Sequence, residues 1–169
     1  MWNHTGKKRP DFAVEPGEGQ ESVWDYPRPP SLVPDERAVE VIAPEGLVAR
    51  TSRAYRLCET ASPPTFYLPP DDVNFELLTA AQGSSHCEWK GQASYWALAS
   101  TPDTVVGWCY PNPSSRYEAL REYVAFYPAL LECYVAGERV KPQPGRFYGG
   151  WITKDVVGPF KGEPGTGHW

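Results

Sequence analysis

The chain has 169 residues, the usual length of a single domain. A compact fold of this size buries about 70% of the surface that its unfolded chain exposes, so a core can form without disulfides or metal. The 19 prolines and 15 glycines disfavour long helices and predict short strands joined by many turns. The net charge of −5, with no stripe of lysine and arginine, argues against a nucleic-acid partner.

The sequence also argues against membrane insertion and export. No stretch approaches the roughly 18 apolar residues of a membrane-spanning helix. Residues 2–22 are mostly polar and lack the apolar core of a signal peptide. We therefore expect a cytoplasmic protein with reduced thiols. Its cysteines lie too far apart for the close ligand pairs of a zinc site, so we expect neither metal nor cofactor: Cys58, Cys87, Cys109 and Cys133.

Composition divides the chain into three segments. Residues 1–21 are polar and rich in glycine, proline and charge, which predicts a flexible N-terminal arm. Residues 22–140 form the predicted β-rich core domain. Residues 141–169 are rich in proline, glycine and large aromatic side chains, and we expect this extension to wrap the core and bury its rings.

The first half of the core domain predicts strands. The prolines of residues 22–30 predict an extended segment. Two apolar runs flank a Pro-Glu-Gly turn within 39–49, which predicts a β-hairpin. Loose alternation predicts a strand at 53–60, and a short aromatic run between prolines predicts another at 65–68.

Beyond this region the pattern changes. We expect a short helix from Asp71 or Asp72 to about Ala81, because an aspartate caps the first turn and apolar residues recur on one face. Alternating sequences predict strands at 92–99 and 104–110.

Residues 114–122 predict one or two helical turns, and 123–127 and 130–135 predict strands. The alternative is one helix over 115–136, interrupted by Pro128. Aromatic and β-branched residues on both sides of the proline favour the strands.

The densest group of reactive side chains lies between Ser85 and Trp96, where a turn ending at Gly91 leads into a strand. Cys87 is the candidate nucleophile, because Lys90 would lower the pKa of its thiol if the two groups approached. Alternatively, the segment lines a pocket where aromatic rings stack on a ligand and Lys90 binds an anion. In the third interpretation Cys87 is a buried core residue.

Two arginines and a glutamate complete the candidate site. Prolines flank Arg28, which would hold its guanidinium in place to bind a carboxylate or phosphate. An internal ion pair of Arg28 with Glu59 or Asp25 is an equal alternative. Arg53 and Glu59 have the same two interpretations, as ligand contacts or as a structural pair.

Between Cys87 and Trp96 the chain carries the motif Cys-x-Trp-Lys-Gly followed by Tyr-Trp. This motif resembles that of the domain of unknown function 427 family, which is also catalogued under a nucleotidyltransferase-like label. The tail motifs at 142–145, 147–151 and 158–162 resemble a longer branch of that family. The resemblance covers about residues 22–169.

The resemblance implies a mostly β fold of small antiparallel sheets that meet at an angle, similar to the β-tent arrangement, with one or two short helices and a groove between the sheets. It implies no catalytic residue, because the family has no agreed reaction. The chain shows no pair of acidic residues on a strand and no Gly-Ser loop of the kind used in nucleotidyl transfer. One departure is Arg50, where relatives usually carry an acidic residue.

We therefore expect the domain to bind a small molecule or a modified peptide end in an aromatic groove. The candidate ligand-binding residues are Arg28, Arg53, Glu59, Cys87, Trp89, Lys90, Tyr95, Trp96, Trp108 and Tyr110. One alternative is a thiol- or lysine-dependent enzyme at Cys87 and Lys90, and another is a protein-interaction module that presents its aromatic tail. We expect no nucleic-acid or membrane partner, and a homodimer remains open.

Overall fold

The computed structural model describes all residues from Met1 to Trp169 and is mostly β, as the sequence predicted. It contains 15 strands and four short 3₁₀ turns. The strands are β1 Glu21–Ser22, β2 Ser31–Asp35, β3 Val39–Ala43, β4 Gly46–Thr51, β5 Ala54–Cys58, β6 Thr65–Tyr67, β7 Leu78–Cys87, β8 Gly91–Leu98, β9 Thr101–Cys109, β10 Val124–Phe126, β11 Glu132–Val135, β12 Glu138–Arg139, β13 Lys141–Pro142, β14 Trp151–Ile152 and β15 Val156–Val157. The 3₁₀ turns are Val23–Asp25, Pro70–Asp72, Phe75–Leu77 and Ser115–Leu120.

The strands form five small sheets. Two have four strands, in the orders β10-β9-β8-β7 and β12-β11-β3-β4, and one has three, in the order β2-β5-β6. Two further pairs, β1-β15 and β13-β14, join the terminal segments to the fold. All pairings are antiparallel except β1-β15.

The predicted hairpin at 39–49 is present as β3 and β4. Side chains of β3 alternate between buried and half-buried, and the chain reverses where Gly46 adopts a φ of +138°. This conformation is open to glycine because it has no Cβ. The hairpin therefore places the face with Val39 and Val41 in the core.

The helix predicted from Asp71 or Asp72 to Ala81 is wrong. Two 3₁₀ turns occupy its first half, and β7 begins at Leu78, which pairs with Leu98 of β8. The Asp72 carboxylate accepts a hydrogen bond from Thr51 Oγ1 at 2.7 Å, so it contacts β4. Pairing along the long β7–β8 ladder outweighs the weak apolar face that suggested a helix.

The alternative of one helix over 115–136 is also wrong. A 3₁₀ turn ends at Leu120, Glu122 adopts a φ of +65°, and β10 then pairs with β9. The strands expected on either side of Pro128 are present as β10 and β11.

The largest core cluster combines side chains from both four-stranded sheets with Trp151 from the C-terminal segment. The Trp151 ring stacks on Phe66 at 4.9 Å, and its Nε1 donates to the Phe126 carbonyl at 3.0 Å. Residues 1–20 contain no helix or strand, yet Arg9 pairs with Asp25 of the core domain. No helix in the structure has the length and hydropathy needed to cross a membrane.

Candidate functional site

A cavity of about 330 Å³ lies beside the hairpin of β7 and β8. Its lining comes from β5, β6, the β7–β8 hairpin, β9 and the C-terminal segment. The lining residues are Leu57, Glu59, Ser62, Pro63, Thr65, Tyr67, Ser85, His86, Cys87, Glu88, Trp89, Lys90, Ala93, Tyr95, Trp108, Tyr110, Tyr127, Gln143, Phe147, Tyr148, Gly149 and Lys161. Residues far apart in sequence therefore share one cavity.

Aromatic rings form much of the cavity wall. Trp108 of β9 pairs across the sheet with Tyr95 of β8, so that both rings lie on the same face. The Trp108 ring centre is 4.7 Å from that of Tyr127, and its Nε1 donates to the Tyr67 hydroxyl at 3.3 Å. Tyr110 lies two residues beyond Trp108 on the same face. These contacts give the wall a defined shape.

Lys90 is the most unusual lining residue because it is only 9% exposed and has no partner of opposite charge. Its Nζ lies 5.6 Å from the centre of the Tyr110 ring and donates no hydrogen bond. The backbone here is fixed, because the amide of Ser114 donates to the Lys90 carbonyl at 2.9 Å and the Ser114 hydroxyl donates to the Trp89 carbonyl at 2.7 Å. The fold thus holds a mostly buried lysine beside the cavity.

Lys161, from the C-terminal segment, is a second buried cation in the lining and is 6% exposed. Its Nζ donates to the main-chain oxygen of Trp169 at 3.2 Å and lies 4.5 Å from the centre of the Trp2 ring. Burial lowers the pKa of Lys161, and the positive charge of Arg28 lowers it further. Sequence reasoning missed this residue, whose only signal was its place among the aromatic residues of the tail.

Arg28 does not line the cavity. Its side chain is 2% exposed and forms an ion pair with Glu59 at 3.2 Å. The same guanidinium donates to the main-chain oxygens of His4, Thr60 and Trp169. Arg28 therefore makes an internal ion pair, one of the two alternatives, and Glu59 lines the cavity beside it.

Three other predicted or highlighted residues lie elsewhere. Trp96 is on the opposite face of β8 from Tyr95, where it packs against the largest core cluster. Its ring centre lies 5.0 Å from that of Phe75. Arg53 is exposed and pairs with Asp72. Arg50 pairs with Glu40 and does not line the cavity. The remaining predicted ligand-binding residues do line it: Glu59, Cys87, Trp89, Lys90, Tyr95, Trp108 and Tyr110.

Cys87 differs from the other three cysteines because it is half-buried and lines the cavity. Cys58, Cys109 and Cys133 are buried, and burial raises the pKa of Cys58 to about 11 and that of Cys133 to about 12. Cys87 is thus the thiol that a small reagent in the cavity would meet.

Several lining residues had no clear signal in the sequence. Tyr67 and Tyr127 are distant in the chain from β8 and β9, and they reach the cavity only through sheet packing. The C-terminal segment adds five more residues: Gln143, Phe147, Tyr148, Gly149 and Lys161.

Comparison with known families gives one match. The family described as a domain of unknown function, DUF427, matches residues 31–137. The chain belongs to the DUF427 family. This confirms the resemblance seen in the sequence, and the DUF427 match includes β2 to β11 and most of the aromatic wall. Lys161 and the other lining residues of the tail lie beyond the matched part of this DUF427 protein. No curated protein matches the chain.

Proposed function

We propose that the cavity binds a small molecule, or the modified end of a peptide, that combines an anionic group with an apolar, planar body. The observation that carries the proposal is Lys90, a lysine that is nine-tenths buried beside the cavity and has no partner of opposite charge. Partial removal of an unpaired ion from water is unfavourable. A ligand that brings a negative charge next to Lys90 offsets that cost.

The surroundings of Lys90 fit this ligand class. The rings of Tyr95, Trp108, Tyr110 and Tyr127 offer flat apolar surface with polar edges. A volume of about 330 Å³ lies at the small end of the range for ligand sites, roughly 300–1,000 Å³. These features favour a compact ligand.

The test is thermal unfolding in the presence of small aromatic and aliphatic carboxylates and phosphates, each paired with its neutral amide or alcohol. A ligand that binds only the folded state stabilises it by about 2.7 kcal/mol at a concentration of 100 times its Kd. We expect anions to raise the melting temperature more than their neutral partners do. Lys90→Met should remove most of this difference, whereas Lys154→Met, at an exposed lysine outside the cavity, should preserve it. An anion-dependent shift that is unchanged in Lys90→Met would refute the proposal.

A second candidate function is a thiol-dependent reaction at Cys87. It is favoured by one observation, that Cys87 is the cysteine in the cavity lining. Intact-protein mass spectrometry after incubation with each ligand that raises the melting temperature tests this candidate. A covalent adduct that maps to Cys87 and is absent from Cys87→Ser supports it. If the protein stays unmodified and the ligand is chemically unchanged, the cavity binds the ligand without a reaction at Cys87.

A further inference from the structure

Lys90 and Lys161 are two mostly buried lysines in the lining of a single cavity. They come from different parts of the chain, since Lys90 precedes β8 and Lys161 lies in the C-terminal segment. Each lies near a different aromatic ring of the lining: Lys90 Nζ is 5.6 Å from the centre of Tyr110, and Lys161 Nζ is 5.8 Å from that of Tyr148. The two charges therefore lie at different places in the wall.

Neither lysine forms an ion pair with an aspartate or glutamate side chain. Two carboxylates line the cavity, those of Glu59 and Glu88. Glu59 is bound by Arg28, and the exposed Glu88 forms no ion pair. Lys161 donates one hydrogen bond, to the main-chain oxygen of Trp169, which leaves its other N–H groups available.

Arg28 strengthens the positive potential at the Lys161 end of the cavity. Its guanidinium and the Lys161 ammonium lie 4.0 Å and 4.5 Å from the centre of the same Trp2 ring. Both groups also donate to the main-chain oxygen of Trp169. A positive group held beside another cation gains more from a bound anion than an isolated one does.

From this arrangement we propose that the ligand is a dianion, with two anionic groups on one small apolar body, one held by Lys90 and the other by Lys161. The inference rests on the proposed function and specifies the class of ligand: a small dicarboxylate, or a carboxylate that also carries a phosphate. The two ends bind the two lysine ammonium groups, and the body between them lies against the aromatic wall.

The test uses three probes and isothermal titration calorimetry: benzoate, benzene-1,2-dicarboxylate and benzene-1,4-dicarboxylate. A hydrogen bond to a charged group contributes about 1.5–3 kcal/mol, so the better dicarboxylate should bind at least about tenfold more tightly than benzoate. Lys161→Met should remove this advantage, so that the ratio of dicarboxylate to benzoate affinity falls to about one. Lys90→Met should weaken all three probes, and Lys154→Met should weaken none.

Lys161 also helps to hold the terminal segments, so the melting temperature of each variant without probe is measured first. Lys161→Arg retains the charge and should keep most of the dicarboxylate advantage, which separates charge from packing. Dicarboxylates that bind no better than benzoate, or whose advantage survives in Lys161→Met, overturn the inference. Benzoate binding that depends on Lys90 would then still support the proposed function.

Discussion

Cys87 and Lys90 lie three residues apart and line the same cavity, so a probe of one reports on the other. The remaining cysteines are buried and should not react in the folded protein. The alkylation rate of Cys87 therefore probes the charge in the cavity, and it can be measured without knowing the ligand.

We predict that Cys87 distinguishes a negatively charged alkylating reagent from a neutral one. Two unit charges at 4 Å interact by about 1 kcal/mol even in water, which corresponds to roughly a fivefold change in rate. Lys90→Met should slow the reaction of Cys87 with iodoacetate more than its reaction with iodoacetamide, because both reagents react with the thiolate but only iodoacetate is attracted by the charge of Lys90. Mass spectrometry of the labelled peptides over time measures both rates. Equal slowing by both reagents would mean that Lys90 acts on the thiol and not on the charge of the reagent, and would contradict the prediction.

A second prediction concerns pH and a charged group away from the cavity. Burial disfavours ionisation of Asp35, but hydrogen bonds from Arg37 outweigh it and hold the pKa of the carboxyl below its ordinary value. Hydrogen bonds from Arg56 likewise lower the pKa of Glu21. Because both values are depressed in the folded state, their stabilisation is present above the unfolded values of about 4 and is lost as pH falls below them.

The free energy of unfolding in urea should therefore decrease between pH 5 and pH 3. Asp35→Asn should lower stability at pH 7 and flatten this decrease, because the variant has no carboxyl to protonate. Glu18→Gln is the control, since Glu18 is exposed and forms no ion pair. A slope in Asp35→Asn as steep as in the wild type would show that this network does not set the acid sensitivity.

Among the elements, the loop before β14 determines the shape of the cavity. Gly149 packs against Trp108 so closely that an added Cβ would lie 2.3 Å from a ring atom. The absence of a side chain at this position lets the tail approach the aromatic wall. The cavity therefore depends on a glycine outside the part of the chain that matches the family.

We predict that Gly149→Ala reduces ligand binding. The added methyl group must displace either the loop or the Trp108 ring, and overpacking of this kind typically costs about 1–3 kcal/mol. The benzoate affinity and the tryptophan fluorescence should both change relative to the wild type. Gly167→Ala is the matched control, because nothing lies within 4 Å of its added Cβ. Unchanged affinity in Gly149→Ala would mean that this approach does not shape the site.

The β elements also show where sequence patterns were sufficient. Alternation and the Pro-Glu-Gly turn predicted the β3–β4 hairpin, since one face of each strand is buried and the turn is local. The prediction of a helix near Asp72 was wrong because the apolar periodicity of this segment is weak. Residues from Leu78 onwards pair with β8 instead, and β8 is too distant in the chain for the local sequence to indicate this pairing.

At the scale of the whole molecule, Arg28 joins the two terminal segments to the core domain. Its guanidinium contacts His4, Glu59, Thr60 and Trp169. Arg28 thus donates hydrogen bonds to main-chain oxygens of the N-terminal segment, of the C-terminal segment and of the segment that follows β5.

We predict that Arg28→Met destabilises the protein by about 3 kcal/mol, because removing one partner of a buried ion pair leaves the other without its counter-charge. Urea unfolding measures the change. Arg50→Met is the matched control: its pair with Glu40 is exposed, and such pairs contribute about 0–1 kcal/mol. Similar losses in the two variants would contradict a special role for Arg28.

The sequence by itself determined the mostly β class, the family and the segment from Cys87 to Trp96 as a dense group of reactive and aromatic side chains. These properties follow from local turns, from the period of two along a strand and from a motif. Only the tertiary structure decided which face of β8 meets the cavity, so that Tyr95 lines it and Trp96 packs in the core. It also placed Lys161 and Lys90 in the lining of one cavity and paired Arg28 with Glu59. Packing between distant segments brings these residues together, and no local sequence pattern predicts it.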